Sequence, residues 1–413
     1  MIPQPPTLDR IRDSMHAAIW AFFAGLAIVV LGISFGLFVM PISDGPRSPS
    51  HVPASGNGLM DTLTRWDGQW YLEIVEQGYT YRPDRRSNVA FFPAYPMCIT
   101  AICRLTGAPP CFVAISVSLA FLFASMAVLH YYARKRFPAA APKLAGLVLL
   151  SMTVFPTTIF FRMTYAESCF FFVTVSALLA MECRWPLSVV AAIIALATAS
   201  RPVGVALIPV FWLHVWQRFP NWRGAVLRWI AFTPIALAGL IAYMGYQYSA
   251  FGDALAFAKT QEHWRKIGHS STGEELLALL SHEPIWSVYL SDSRAYWRRL
   301  EPGPSAATNL AFANPIYFLL AITLVMLGAW KGWLNSRETL LAALLIFIPY
   351  IMRGHEMCML SQGRFMAVVF PIYLVMGQVL SRIPSPYAAM VVGLFVFYLA
   401  IYSMHVAAGY PLI

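Results

Sequence analysis

The chain has 413 residues, of which 59% are hydrophobic and only 12% charged, with a mean hydropathy of +0.62. An ordinary soluble domain carries ~25% charged residues, so these values exclude a soluble globular enzyme and predict an all-α polytopic membrane protein. The formal charge of +10 fits basic cytoplasmic loops better than a nucleic-acid surface, because Lys and Arg bias which loops stay inside.

The first long apolar run, 17–40, exceeds the ~20 residues needed to cross a bilayer and lacks a small-residue cleavage site, which predicts a retained span. Further runs at 110–133, 144–162, 166–183, 186–199, 203–216, 229–249, 308–330, 338–353, 365–381 and 387–407 make eleven predicted spans, within a range of 10 to 13. They form a single transmembrane domain over 1–413, with two large loops at about 41–90 and 250–307. If the N-terminus lies inside, the inside segments hold thirteen basic residues against four acidic ones, while both long loops are close to neutral. That asymmetry places both loops on the extracytoplasmic side and argues against counting 91–104 as a span, because a span there would put Arg134, Lys135 and Arg136 outside.

The charges that remain are informative. Seventeen of the nineteen carboxylates fall in loops, with Glu167 and Glu356 at outer span ends. The expected absence of a mid-membrane carboxylate weakens a proton-coupled transporter reading. Arg162, Arg201, Arg353 and Arg364 sit at the outer ends of four different spans, where the inside bias should have removed them. One such arginine would snorkel to lipid headgroups. Several on one face could instead hold a phosphate attached to a membrane lipid, since the guanidinium fork matches phosphate oxygens.

The first loop carries LTRWDGQWYLEIVEQGYTY, residues 63–81. Trp66, Trp70, Tyr71, Ile74 and Val75 share one side of a helix and Gln69, Glu73, Glu76 and Gln77 the other, which predicts an amphipathic helix in the outer interface. Asp67 stands at the N-cap position; capping is the simpler reading, and a general base beside the membrane surface is the other. YTYRPDRRSNVAFFPAYP follows, with Pro93 and Pro96 opening an apolar helix. The second loop interleaves Trp286, Tyr289, Tyr296 and Trp297 with Arg294, Arg298 and Arg299, a pattern suited to sugar or lipid-chain contact and to interfacial packing alike. No Walker loop, GxGxxG, HExxH or GxSxG element occurs. Cys98, Cys103, Cys111, Cys169, Cys183 and Cys358 form no CxxC pair or Cys/His metal spacing, so neither a disulfide framework, a metal site nor a cofactor is expected.

RWDGQWYLEIVEQGYTY followed by AFFPAYP resembles the hallmark of the PIG-V mannosyltransferases, the GPI mannosyltransferase II type and its bacterial relatives in the GT-C class. TYAES, ATASRPVG, FGDALAF with QEHW, and SQGRFMAVVFP are weaker echoes along the chain. RPVG departs from the Arg-Ser-Asn wording of eukaryotic members, which points to a bacterial-type member in an inner membrane, N-terminus cytoplasmic and site outside. The resemblance implies a GT-C-like bundle with interfacial helices in its outer loops. It also implies inverting transfer of a sugar, typically mannose, from a polyprenyl-phosphate donor to a lipid or glycan acceptor hydroxyl, with Asp67 as base. The candidate substrate-binding residues are Arg65, Trp66, Trp70, Tyr95, Arg162, Glu167, Arg201, Gln261, Trp264 and Arg364. The competing expectation is a flippase or transporter of a lipid-phosphate intermediate that grips the same phosphate without bond chemistry. Either would sit among membrane lipids, and no nucleic-acid partner is expected.

Overall fold

The computed structural model describes residues 8–40, 58–140, 142–268, 271–300 and 305–410, and among these every regular element is helical. Of the two predicted loops, 41–57, 269–270 and 301–304 lie outside the described residues. The chain runs through α1 (Leu8–Val39), α2 (Gly58–Leu63), α3 (Asp67–Gln77), α4 (Ala94–Thr106) and α5 (Pro110–Arg136). Then come α6 (Lys143–Val154), α7 (Glu167–Glu182), α8 (Leu187–Ser200), α9 (Leu207–Arg218), α10 (Trp222–Ala236) and α11 (Ala238–Phe251). The second loop holds four short helices, α12 (Ala256–Lys259), α13 (Thr272–Leu280), α14 (Glu283–Trp286) and α15 (Trp297–Leu300). The last five are α16 (Leu310–Trp330), α17 (Ser336–Arg353), α18 (Gln362–Ala367), α19 (Pro371–Leu380) and α20 (Ser385–Ala408).

Among the described residues four helices, α1, α5, α16 and α20, are individually long and apolar enough to cross a bilayer, and the α10–α11 pair makes a fifth if taken together. The other apolar runs form shorter or broken helices, and proline accounts for several breaks. The run 144–162 stops being α-helical at Val154 because Phe155 precedes Pro156 and takes φ −58°, ψ 127°, the extended conformation a following proline imposes. Pro234 removes a backbone donor inside α10, so α10 and α11 meet at a 48° bend instead of forming one straight span. The run 365–381 is divided between α18 and α19, with Pro371 opening the second piece.

Two further expectations change. The apolar face of α3 is not left for lipid: Trp70, Tyr71, Leu72 and Ile74 are all buried, and Tyr71 and Leu72 share a cluster with Tyr95, Ile99, Val113 and Val117 of α4 and α5. Protein supplies the apolar neighbours that a membrane interface was expected to supply, and Glu76 and Gln77 stay exposed. Glu338, expected in an inside loop, is fully buried at the start of α17. Arg136 donates to its two oxygens at 2.7 and 3.0 Å and the Tyr132 hydroxyl donates at 2.6 Å, so the burial cost of the charge is offset by a bidentate partner and added donors.

Candidate active site

The site is built from the chain segment that enters α3. Trp66 takes φ 54°, ψ −115°, a conformation that costs a large side chain of order 1–3 kcal/mol and persists only where packing enforces it. The enforcing contacts come from the turn before α7. The Thr164 backbone N–H donates to the Leu63 carbonyl at 2.9 Å and the Tyr165 hydroxyl donates to the Arg65 carbonyl at 3.2 Å. Gly68 is required by the same approach, since a Cβ there would sit 2.1 Å from the Thr164 hydroxyl oxygen. Asp67 is therefore the first residue of α3 rather than its cap, no side chain caps the helix, and the carboxylate turns elsewhere.

It turns to Arg364. Arg364 Nη1 donates to Asp67 Oδ2 at 2.6 Å, and Nε of the same guanidinium lies 3.0 Å from Glu167 Oε1. Glu167 Oε1 in turn meets Arg201 Nη1 at 2.6 Å. The side chains of Asp67, Glu167, Arg201 and Arg364 are only 16%, 2%, 13% and 10% exposed, so four ionisable groups form one screened-from-water row, Asp67–Arg364–Glu167–Arg201. The contacts of Glu167 Oε1 are close ion pairs without aligned hydrogen-bond geometry. Aromatic rings wall the row: the Arg364 guanidinium carbon lies 5.2 Å from the Tyr165 ring centre and 5.5 Å from that of Phe365, and Arg201 approaches Phe365 at 5.5 Å. Faces of this kind attract cations. Just before Arg364 the backbone bends sharply, with Cys358, Met359 and Ser361 all at φ between 52° and 66°. Local strain thus flanks both Asp67 and Arg364.

Two groups join that the sequence reading did not assign to the site. Tyr71 is buried beside the row, and burial first, then the charge of Glu167, holds its phenol protonated well above the ordinary range. Arg353, at the end of α17, donates to Gln261 and is near enough to feel the charges of Asp67 and Arg364. It had been marked as one of the four outer-end arginines, so a signal was present; Tyr71 carried none beyond its place on the apolar face.

The remaining candidates divide. Trp70 stacks on Phe91 at 6.1 Å and meets Trp264 at 6.0 Å, with Arg86 over the Trp264 ring at 5.5 Å. This joins the first outer loop to the second, a junction reinforced by Arg86 Nε donating to the His263 carbonyl at 3.0 Å. Trp66 forms the strained entry to α3, and Arg65 is half-buried with Asp61 as its charged neighbour. Among the described residues neither Tyr95 nor Arg162 makes an ion pair or hydrogen bond to the charged row, and Tyr95 approaches it through Tyr71, whose ring it meets edge-on at 5.0 Å. The fully buried Tyr95 hydroxyl donates to the Ala114 carbonyl at 2.9 Å and pairs with Ser118 at 2.6 Å, which is α4–α5 packing. Arg162, 1% exposed, donates to the carbonyls of Thr158 at 2.9 Å and Thr153 at 3.5 Å and lies against Gly25 of α1. Among the described residues no group of three or more His, Cys, Asp and Glu is placed to hold a metal ion, and all six cysteines are free thiols.

Helices of span length and apolar composition define a membrane protein, with a buried row of alternating carboxylates and guanidiniums at one end of its helices. Residues 36–220, a little under half of the chain, match a family model described as Mannosyltransferase (PIG-V), the family that the RWDGQWY stretch resembles. Asp67, Glu167 and Arg201 lie inside that segment, and Arg364 beyond it. The chain is 30% identical to GPI alpha-1,6-mannosyltransferase 2 of Cricetulus griseus over 132 residues, 30% of this chain and 26% of the relative. It is 28% identical to the Homo sapiens protein of that name over 148 residues, 33% of this chain and 29% of the relative. The matched stretches thus span between a quarter and a third of these relatives. The crystal structure of the apo oligosaccharyltransferase of Archaeoglobus fulgidus aligns with 94% of this chain and 56% of its own at 13% identity, with a TM-score of 0.46.

Proposed function

We propose that the protein is a GT-C-type glycosyltransferase that moves a sugar, mannose in the first instance, from a polyprenyl-phosphate donor to an acceptor hydroxyl on a lipid or glycan, with inversion. The observation that carries this reading is the 2.6 Å contact between Asp67 and Arg364, which brings a candidate base and a candidate phosphate ligand together from opposite ends of the chain. Asp67 takes the proton of the acceptor hydroxyl as its oxygen bonds to the anomeric carbon. The bond from that carbon to the phosphate oxygen breaks, and its electron pair leaves with the lipid phosphate. Arg364 and Arg201, with Arg353 close by, stabilise the charge that develops on the phosphate.

The row is charge-balanced, two arginines against two carboxylates. A phosphate that recruits Arg364 draws it off Asp67, so donor arrival frees the base. In the same reading the eleven apolar runs cross a bacterial inner membrane with the N-terminus cytoplasmic, and the loops at 41–90 and 250–307 face outside.

The deciding comparison is Asp67→Asn in purified protein, with donor binding and sugar transfer measured separately. A transferase loses turnover by ~10²–10⁴-fold, the contribution of a positioned base, while donor binding persists. Undiminished transfer by the Asn variant removes the reading, and donor movement across the bilayer without transfer in the unaltered protein would favour the flippase.

A further inference from the structure

At the opposite end of the same helices lies a second basic site that the transfer reading does not use. α7, α9 and α17 each carry a charged residue of the Asp67 end or run directly from it, and each ends or begins again at a cavity of about 150 Å³ lined by Glu182, Arg184, His214, Gln217, Arg218 and Arg337. α7 has 16 residues, so Glu167 and Glu182 at its two ends stand roughly 22 Å apart at ~1.5 Å per residue. The two sites are physically separate.

The cavity has an excess of positive charge with unspent donors. Arg337 donates to Glu182 at 2.7 Å and to His214 Nδ1 at 3.1 Å. Because Nδ1 accepts, the ring proton sits on Nε2, and that buried Nε2–H has no partner although His214 is only 3% exposed. Arg218 donates from Nη1 to the Trp185 carbonyl at 2.8 Å. Arg184 is exposed on the α7–α8 turn and is held there at φ 54°, a left-handed conformation that an arginine adopts only at a cost. Three guanidiniums face one carboxylate, a surplus of two positive charges, and a neutral imidazole donor stands ready.

We infer that this cavity binds a phosphate monoester. The surplus matches a phosphate dianion, guanidinium forks suit its oxygens, and basic pockets between membrane helices bind anionic headgroups in general. About 150 Å³ falls below the ~300–1,000 Å³ of pockets that enclose drug-sized ligands and is room enough for a headgroup. The phosphate can arrive on a lipid or free in solution.

The test uses the full chain in phosphatidylcholine nanodiscs, with short-chain phosphatidic acid and inorganic phosphate as separate probes. Arg364→Gln is the background, so that phosphate binding at the Asp67 end is suppressed. Arg184→Gly with Arg218→Gln should weaken binding by roughly 30-fold, at about fivefold per arginine. Glycine suits φ 54°, so Arg184→Gly alone keeps the fold and provides the readout should the double variant be unstable. Phosphatidic acid binding that falls in these variants while inorganic phosphate stays silent assigns a lipid headgroup; inorganic phosphate binding that falls likewise assigns a soluble phosphate. Equal affinity of folded Arg184→Gly and the unaltered protein for both probes, or no binding of either probe to the unaltered cavity, overturns the inference.

Discussion

Arg364→Gln is the substitution on which the phosphate-site reasoning stands or falls. The guanidinium it removes is 10% exposed and bridges Asp67 at 2.6 Å and Glu167 at 3.0 Å. Glu167 keeps Arg201 at 2.6 Å, but Asp67 loses its ion-pair partner. Breaking a buried pair by deleting one member costs about 3–5 kcal/mol. Here the expected loss is nearer ~2–3 kcal/mol, because Asp67 retains 16% exposure and glutamine can still donate a hydrogen bond. The folded variant should therefore denature at a lower temperature in detergent. Its affinity for a polyprenyl phosphate should fall by about 10- to 150-fold, the equivalent of one charge-assisted hydrogen bond worth ~1.5–3 kcal/mol. Arg162→Gln is the control: it removes a still more deeply buried guanidinium bonded to the Thr158 and Thr153 carbonyls, so stability should drop while donor affinity holds. Lipid-phosphate binding can be followed by tryptophan fluorescence or thermophoresis in nanodiscs. Equal affinity in folded Arg364→Gln and the unaltered protein would refute the argument, as would an equal loss in Arg162→Gln.

Two other substitutions probe how the site is held. Gly68→Ala pushes a methyl to 2.1 Å from the Thr164 hydroxyl oxygen, so α3 or the 163–165 turn must shift at a cost of about 1–3 kcal/mol; transfer should fall, and adding Thr164→Ala, which removes the clashing oxygen, should restore part of it. A double variant no better than Gly68→Ala would show that the contact is not the cause. Trp264→Ala deletes the ring contacts to Trp70 and Phe91 at 6.0 and 6.3 Å, together worth about 1–3 kcal/mol. Local opening of the 78–93 segment should become more frequent, and tryptic cleavage at Arg85 or Arg86 should accelerate by at least ~5-fold; an unchanged cleavage rate would mean the outer loops hold each other by other contacts.

Composition and run length were enough to read a helical membrane protein, because a bilayer imposes an apolar stretch of fixed length and leaves a one-dimensional trace. Asp67 was legible for a similar reason: a carboxylate among tryptophans in so apolar a chain stands out, and so do arginines at span ends. Span integrity was less legible, since hydropathy is blind to the proline at 156, 234 or 371 that divides a continuous apolar run. The α3 face was also misassigned, because an apolar stripe looks the same whether lipid or a neighbouring helix covers it.

What the sequence by itself determined is the inventory: the apolar runs, the WDG stretch with its acid, and four arginines where none were expected. Only the tertiary structure decided which of them meet. Asp67 and Arg364 are 297 residues apart, and no local pattern carries so distant a pairing; it exists because the turn before α7 grips the entry to α3 while the bent backbone at 358–361 delivers Arg364 to the same place. The same packing turned Arg162 inward to backbone carbonyls and left Arg201 and Arg364 sharing Glu167. Sidedness along a helix is set by a few degrees of rotation that neighbours enforce, and those neighbours lie far away in the chain.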